Sequence, residues 1–214
     1  MLEAMAPDES AEGRLTPPVE RKLIEKAQRG CAQSSHALVT AYQDRLHAFV
    51  WRMVRSRHDA EEICQDAFLR AFSSLDRFDF SYRFSTWLFT IGYRLCLNCL
   101  RRRRDYTADL DFSTFSAPHG EDGVADAVAN TDEARRLKKT IWETVDQLTP
   151  PQRATVLLFY RESLSCQEIG EVLGMPAATV KSHLHRARAS LKEMLAGSLC
   201  EDWASVRFGA AGSA

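Results

Sequence analysis

Cys96 and Cys99 are spaced as C-x-x-C, an arrangement used for metal ligation or thiol–disulfide exchange. A structural zinc site needs four ligands, and no second C-x-x-C or His pair has matching spacing. A redox pair usually opens a helix, where the N-terminus stabilises a thiolate; this one lies near the end of an apolar helical pattern. Packing is the favoured reading and thiol sensing the alternative. His183 and His185 are two apart on a helical pattern and cannot face one ion. No nucleophile–base pair, Gly-rich phosphate loop or H-E-x-x-H is present, so the expectation is no enzyme, no cofactor and no metal. What remains is binding chemistry, and it is charged.

The cationic side chains carry more. Ser165-Cys-Gln-Glu168 has the spacing of a capping box and opens a short helix bearing Ile169, Val172 and Leu173. Gly174 suits the left-handed position after a helix, and Met175-Pro176 turns the chain into a second helix. That helix puts Val180, Leu184, Ala187, Leu191 and Met194/Leu195 on one apolar stripe. Lys181, Ser182, His185, Arg186, Arg188 and Lys192 lie off it. A short helix, a glycine turn and a longer helix with a basic outer face make the pattern of a DNA-reading helix-turn-helix. In such a pair the second helix reaches base edges while Lys and Arg neutralise phosphates. An ordinary helical hairpin with a solvated basic face is the plainer alternative; the cap, the glycine and the basic face together favour DNA.

A second basic stretch lies upstream, where Phe80 to Arg104 holds six arginines and no acid. Leu88, Ile91, Leu95 and Cys99 make one apolar side of a helix, and Phe89, Tyr93, Cys96 and Leu100 another. Thr90, Arg94, Asn98 and Arg101 form the remaining polar strip, bordered by Trp87. Cations at a helix C-terminus suit the macrodipole, which accounts for part of the Arg101–Arg104 run. Aromatic rings followed by arginines also suit single-stranded nucleic acid, with π-faces for bases and charge for phosphates. The preceding helix, Asp59 to Leu75, has a broad apolar stripe of Ala60, Ile63, Cys64, Ala67, Phe68, Ala71, Phe72 and Leu75. Glu62, Gln65, Asp66 and Ser73 lie opposite, with Leu69 among them. A lone outward leucine is ordinary; one inside an acidic, amide-bearing patch suits a helical protein partner.

The elements that must hold these residues all read as helices. Val19 to Val54 carries helical spacing through Leu38, Ala41/Tyr42, Leu46, Phe49/Val50 and Met53. Ser85 can N-cap a helix through Arg104, Thr131 precedes one to Leu148, and Pro150-Pro151 start another to about Arg161. No alternating strand pattern appears. The 214 residues include 28 Lys+Arg and 29 Asp+Glu, for a formal net charge of −1. That balance hides segregation, because Asp105 to Ala134 holds eight acids and no Lys or Arg. The composition excludes collagen-like, mucin-like and wholly disordered chains. The longest apolar run, Val156 to Tyr160, is far short of the ~20 residues that span a bilayer. The first twenty residues carry Glu3, Asp8, Glu9 and Glu12 and no apolar core of a signal peptide. A cytoplasmic protein without stable membrane insertion of its own is expected. In that setting Cys31, Cys64, Cys96, Cys99, Cys166 and Cys200 read as small buried hydrophobes rather than a disulfide framework.

Several motifs in register resemble a known family. Asp59-Ala-Glu-Glu-Ile-Cys-Gln-Asp-Ala-Phe-Leu-Arg-Ala-Phe72, Phe84-Ser-Thr-Trp-Leu88 and Leu100-Arg-Arg102 resemble region 2 of the extracytoplasmic-function sigma factors of bacterial RNA polymerase. Leu148-Thr-Pro-Pro-Gln-Arg153, Ser165-Cys-Gln-Glu-Ile-Gly170, Thr179-Val-Lys-Ser182 and Arg186-Ala-Arg188 resemble their region 4. The resemblance spans roughly residues 20–105 and 133–196. It implies that region 2 binds the polymerase clamp helices and opens the −10 element, and that region 4 binds the −35 element and the polymerase flap. By position, Asp59, Glu62, Gln65, Asp66 and Leu69 fall on the polymerase-binding helix. The loop Phe78–Arg83 falls where the family captures an extruded −10 base, so Phe80, Tyr82, Arg83, Trp87, Arg94 and Arg101 are the −10 candidates. Thr179, Lys181, Ser182, His185 and Arg186 fall on the −35 reading face. The chain departs from the family at Arg94 and Asn98, where Asn and Asp are common, and at His183, where an Arg is common.

The expected architecture is therefore all-α. It comprises an N-terminal tail over 1–18, a region 2-like helical domain over 19–105 and an acidic linker over 106–132. A region 4-like helix-turn-helix domain over 133–197 and a C-terminal tail over 198–214 complete it. Core RNA polymerase and promoter DNA are the implied partners, with an anti-sigma factor as a third. The runner-up is a helix-turn-helix transcriptional regulator that binds DNA without polymerase.

Overall fold

A computed structural model describes residues 15–109 and 132–208 of the chain. Most of the expected N-terminal tail, most of the acidic linker and the last residues of the C-terminal tail lie outside the described residues. Among the described residues the regular structure is entirely helical: α1 Pro17–Gln28, α2 Ala32–Val54, α3 Arg57–Ser73, α4 Phe84–Asp109, α5 Asp132–Asp146, α6 Pro150–Tyr160, α7 Cys166–Leu173 and α8 Ala177–Phe208. A short 3₁₀ turn, Leu75–Arg77, follows α3.

Local chemistry explains where these helices start and stop, and it corrects several expected boundaries. Pro17 and Pro18 occupy the first turn of α1, where the missing N–H costs nothing, so they begin the first helix rather than end a tail. The helical run expected from Val19 to Val54 is two helices, broken at Arg29–Cys31 around Gly30, whose φ is +84°. The periodicity hid the break because Ile24 and Ala27 share a buried cluster with Leu38 and Tyr42. α3 starts two residues early, since the Ser56 hydroxyl accepts the Asp59 N–H at 3.3 Å, and Leu75 ends up buried in the 3₁₀ turn. Ser85 is not the cap of α4. It is buried within the first turn, and the Arg83 carbonyl accepts the Trp87 N–H instead. α4 then runs past Arg104 to Asp109, because Asp105-Tyr-Thr-Ala-Asp contains no helix breaker. α8 likewise continues through residues expected to form the C-terminal tail.

In the first domain α2 is the central helix, packed against α1, α3 and α4. Leu38, Leu46, Val50 and Met53 of α2 are fully buried, as are Phe84, Leu88 and Phe89 of α4. Phe49 meets Phe89 edge-on at 5.3 Å, and Tyr42 meets Phe84 at 5.2 Å. In the second domain α6, α7 and α8 surround Leu157, Leu158, Ile169, Val172, Val180 and Leu184. A smaller cluster of Val145, Leu148, Val156 and Ala187 ties α5 to α6 and α8.

The two domains touch. α7 packs on α4 and α6 on α2, so that the main buried cluster is continuous between them. At the centre of the junction lies Arg153, in the first turn of α6. One of its terminal nitrogens donates to the carbonyls of Arg52 (3.3 Å) and Met53 (3.4 Å) at the end of α2. The other donates to the carbonyls of Leu148 (3.2 Å) and Asp146 at the end of α5. Removing this guanidinium strands several carbonyls at two helix ends, each worth about 1–3 kcal/mol when buried without a donor. Arg153→Ala is therefore expected to cost about 3 kcal/mol in chemical denaturation. Arg153→Lys should recover only part of that, because one ammonium cannot span both helix ends.

Candidate nucleic-acid interface

The helix-turn-helix is built as its sequence requires. The Ser165 hydroxyl accepts the Glu168 N–H at 3.2 Å, and the Glu168 carboxylate accepts the Ser165 N–H at 2.8 Å, closing the capping box of α7. Gly174 ends the helix in the left-handed region at φ +68°. A side chain at Gly170 would place its Cβ 2.6 Å from the Met175 carbonyl oxygen, so only glycine lets the turn fold back on α7. On α8, Val180, Leu184 and Ala187 are buried. Thr179, Lys181, Ser182, His185 and Arg186 are all exposed on the opposite side. These five −35 candidates therefore share one outward face. Arg188 does not join them: its Nε donates to the Tyr160 hydroxyl at 2.9 Å, and the guanidinium lies over Phe159 and Tyr160.

The −10 candidates divide. Phe78, at one end of the expected base-capturing loop, is 7% exposed and meets Phe80 and Phe84 edge-on and Trp87 at a tilt, with ring centres 5.2–5.9 Å apart. It is a core residue that anchors the loop Phe78–Arg83. Phe80 is half-buried, with the Arg21 guanidinium 4.8 Å from its ring centre, and Trp87 is half-buried in the same stack. The Asp79 carboxylate accepts the Ser81 N–H at 2.8 Å and shapes the turn; hydrogen bonds from Ser81 hold its carboxyl below the usual carboxylate range. Tyr82 is 50% exposed, and Arg83, Arg94 and Arg101 are exposed. A phenol and an arginine thus project from a loop anchored by aromatic packing, with two more arginines along α4.

The acidic face of α3 is also split. Leu69 is 70% exposed, the most exposed large apolar side chain among the described residues. Glu62 and Gln65 are exposed beside it, and Asp66 is paired with Arg70 at 2.9 Å. Asp59, one turn before Glu62, is half-buried. Its carboxylate binds Arg103 and ties α3 to α4, a pairing across 44 positions that local periodicity cannot register. The C-x-x-C cysteines are buried, and burial pushes the thiols of Cys64, Cys96 and Cys99 up, that of Cys64 to about 12. Such thiols stay protonated and pack as small hydrophobes.

Sigma-70 region 2 matches residues 38–106, and Sigma-70 region 4 matches residues 138–191. The chain is 34% identical over 179 residues to the ECF RNA polymerase sigma factor SigW of Bacillus subtilis, covering 82% of this chain and 96% of that protein. The chain belongs to the extracytoplasmic-function sigma factors. Its fold resembles CnrH, solved in complex with the cytosolic domain of CnrY, at a TM-score of 0.60 and 24% identity over 83% of this chain and 97% of that one. It also resembles the sigma factor RpoE of Bartonella quintana, solved with the anti-sigma factor NepR, at a TM-score of 0.59 and 24% identity over 73% and 93%. As a sigma factor it directs RNA polymerase to specific promoters, with α2–α4 in region 2 and α5–α8 in region 4.

Region 4 of this sigma factor carries a carboxylate that does two jobs. Glu168 closes the capping box and also accepts from Arg83 of the region 2 loop at 3.3 Å. Burial raises its carboxyl, but the Ser165 N–H and hydroxyl together with Arg83 outweigh that and leave it below the ordinary value of 4.5. A depressed folded-state pKa gives stability that is present above the unfolded value and lost as pH falls through the folded one. Glu168→Ala should therefore lower the melting temperature by about 2–4 °C near pH 7, as expected for a cap worth about 1 kcal/mol. The gap should close as the pH falls below 4.5, where the wild-type carboxyl becomes protonated. Melts of both proteins across that range check this.

Proposed function

We propose that the exposed face of α8 reads the −35 element, through Thr179, Lys181, Ser182, His185 and Arg186. The loop before α4 and the outer strip of that helix then engage the opened −10 strand, through Tyr82, Arg83, Arg94 and Arg101, with Phe80 and Trp87 supporting the loop. The observation that carries this reading is the clean division of α8, where the buried stripe leaves those five side chains on one outward face. Readout there follows from geometry: an arginine reaches guanine through two parallel hydrogen bonds, and a lysine meets phosphate as a point charge. On region 2, a phenol offers a π-face to an unstacked base while the arginines meet its backbone. The protein performs no bond chemistry in this scheme. It shifts the equilibrium between duplex and melted promoter by binding the melted form better.

Leu69, with Glu62, Gln65 and Asp66 around it, is the proposed contact to core polymerase, since an exposed leucine among polar groups suits docking to a helical partner. The proposed setting is the cytoplasm, and an anti-sigma factor is a proposed partner. The Bartonella quintana RpoE, which shares the fold, was solved in complex with the anti-sigma factor NepR. The two domains proposed are the helical units α1–α4 and α5–α8, flanking the acidic linker.

Two substitutions test these roles. Arg186→Ala should reduce promoter-dependent transcription by the ~1–3 kcal/mol of a bidentate base contact, with a loss that depends on the −35 sequence. An equal loss on every −35 variant would make Arg186 a phosphate contact instead. Leu69→Ala should weaken binding to core polymerase while leaving the melting temperature within about 1 °C, because an exposed side chain contributes little to the core. Unchanged affinity would remove α3 from the polymerase interface.

A further inference from the structure

The loop that carries Tyr82 and Arg83 is held from two sides. On the inner side Phe78 is buried against Phe84 and Trp87. Phe80, nearer the exposed end, meets one other ring among the described residues, that of Phe78, edge-on at 5.3 Å. Its second hold comes from α1, which lies outside the residues matched as Sigma-70 region 2.

Side chains of α1 reach the loop at several points. The Arg21 guanidinium lies 4.8 Å from the centre of the Phe80 ring, while its Nε donates to Glu25, one turn on, at 3.1 Å. Gln28 Nε2 donates at 2.9 Å to the Leu75 carbonyl, which also accepts the Phe78 N–H at 3.1 Å where the loop begins. Glu20 accepts the hydroxyl of Tyr42, whose ring packs on Phe84 at 5.2 Å. Burial, and then the Glu20 carboxylate, push that hydroxyl up, so it stays a donor at neutral pH. Arg21, Ile24 and Gln28 are spaced i, i+3, i+7 and share one face of α1. Ile24 is buried in the cluster that holds Leu75 and Phe78. A single helix face thus fixes both the start and the middle of the loop.

We infer that α1 is a brace for −10 recognition, with Arg21 and Gln28 as positioning residues that set the loop from which Tyr82 and Arg83 project. The physical reason is order in advance of binding. A loop already fixed loses less conformational entropy when it captures a base. It also discriminates more sharply, because it cannot repack around a base that fits badly. Each contact is modest, one a cation over a ring near the surface and the other a single amide–carbonyl hydrogen bond. They act at different points of one short loop, so their effects multiply. The role in recognition rests on the −10 reading given above; the ordering of the loop rests on the contacts alone.

Amide hydrogen exchange on the full chain tests the brace, paired with transcription by core polymerase from one promoter and its single-base −10 variants. The amides to follow are those of Ser81 and Tyr82, which bond to Asp79 at 2.8 and 3.1 Å. Arg21→Ala and Gln28→Ala should each speed their exchange about two- to fivefold, and about tenfold together, with exchange inside α2, α3 and α4 unchanged. Preference for the original −10 sequence over its variants should fall by a similar factor, while preference among −35 variants is kept. Arg21→Lys keeps a cation over the ring and should restore part of both effects, whereas Arg21→Gln should not. Unchanged loop exchange with an equal loss on every −10 sequence would make Arg21 a phosphate contact and overturn the brace. Exchange that quickens throughout the first domain would overturn it too, as a general loss of stability. Tyr82→Ala separates the brace from the reading it rests on. Faster loop exchange in the α1 variants with −10 preference unmoved overturns the brace if Tyr82→Ala lowers that preference. If Tyr82→Ala leaves it unmoved as well, the −10 reading falls while the ordering of the loop by α1 stands.

Discussion

A helix that ends inside a protein leaves four carbonyls without partners, and the junction of this molecule has two such ends facing each other. Arg153 satisfies both, donating to the last carbonyls of α2 and to those closing α5. A cation suits this place, because the partial negative charge of two helix dipoles converges there. Burial works against the charge and pushes the guanidinium down, with Asp146 opposing that and Arg55 adding to it. The position of Arg153 is itself fixed locally. Pro150 and Pro151 open α6, and the Gln152 side chain accepts from the Thr149 N–H (3.3 Å) and hydroxyl (2.8 Å). Arg153 follows immediately. A six-residue run, Leu148 to Arg153, thus supplies a core residue, a cap, a helix start and the bridge between domains.

That run also marks the limit of what is legible in the sequence. Caps, prolines and glycines act on their neighbours, so the starts of α6 and α7 and the turn after Gly174 were readable residue by residue. The outward face of α8 was readable because a helix repeats every 3.6 residues and Val180, Leu184 and Ala187 define its inner side. Breaks that keep the buried face in phase, as at Gly30, left no mark in the periodicity. Pairings across the fold left none either: Arg45 and Glu162 are 117 residues apart, and nothing near either one names the other. Asp59 is a further example: the family resemblance grouped it with Glu62, Gln65, Asp66 and Leu69, and nothing near it in the sequence names Arg103 of α4, its partner in the fold.

The region 2 loop was partly legible for a related reason. An aromatic loop next to arginines announces affinity for unstacked bases, yet the same rings also make good core. The structure separates the two uses by depth. Phe78 and Phe84 are buried, Phe80 and Trp87 form an intermediate layer, and Tyr82 reaches solvent. This layering limits the entropy a base-contacting side chain loses on binding, because a loop pinned by four packed rings is already ordered. The buried cysteines of α4 serve the same rigidity, filling space beneath the helix that presents Arg94 and Arg101.

Glu168 shows how local and long-range order are joined. A carboxylate has more acceptor capacity than a capping box uses, and the surplus here meets an arginine on the other domain. Whatever draws Arg83 away, a nucleic-acid backbone in the proposed scheme, leaves the cap of α7 intact and removes only one of the contacts between the domains. The converse does not hold. Loss of the carboxylate would weaken both the cap and the attachment. The folding of the helix-turn-helix is in this way insulated from changes at its contact with region 2.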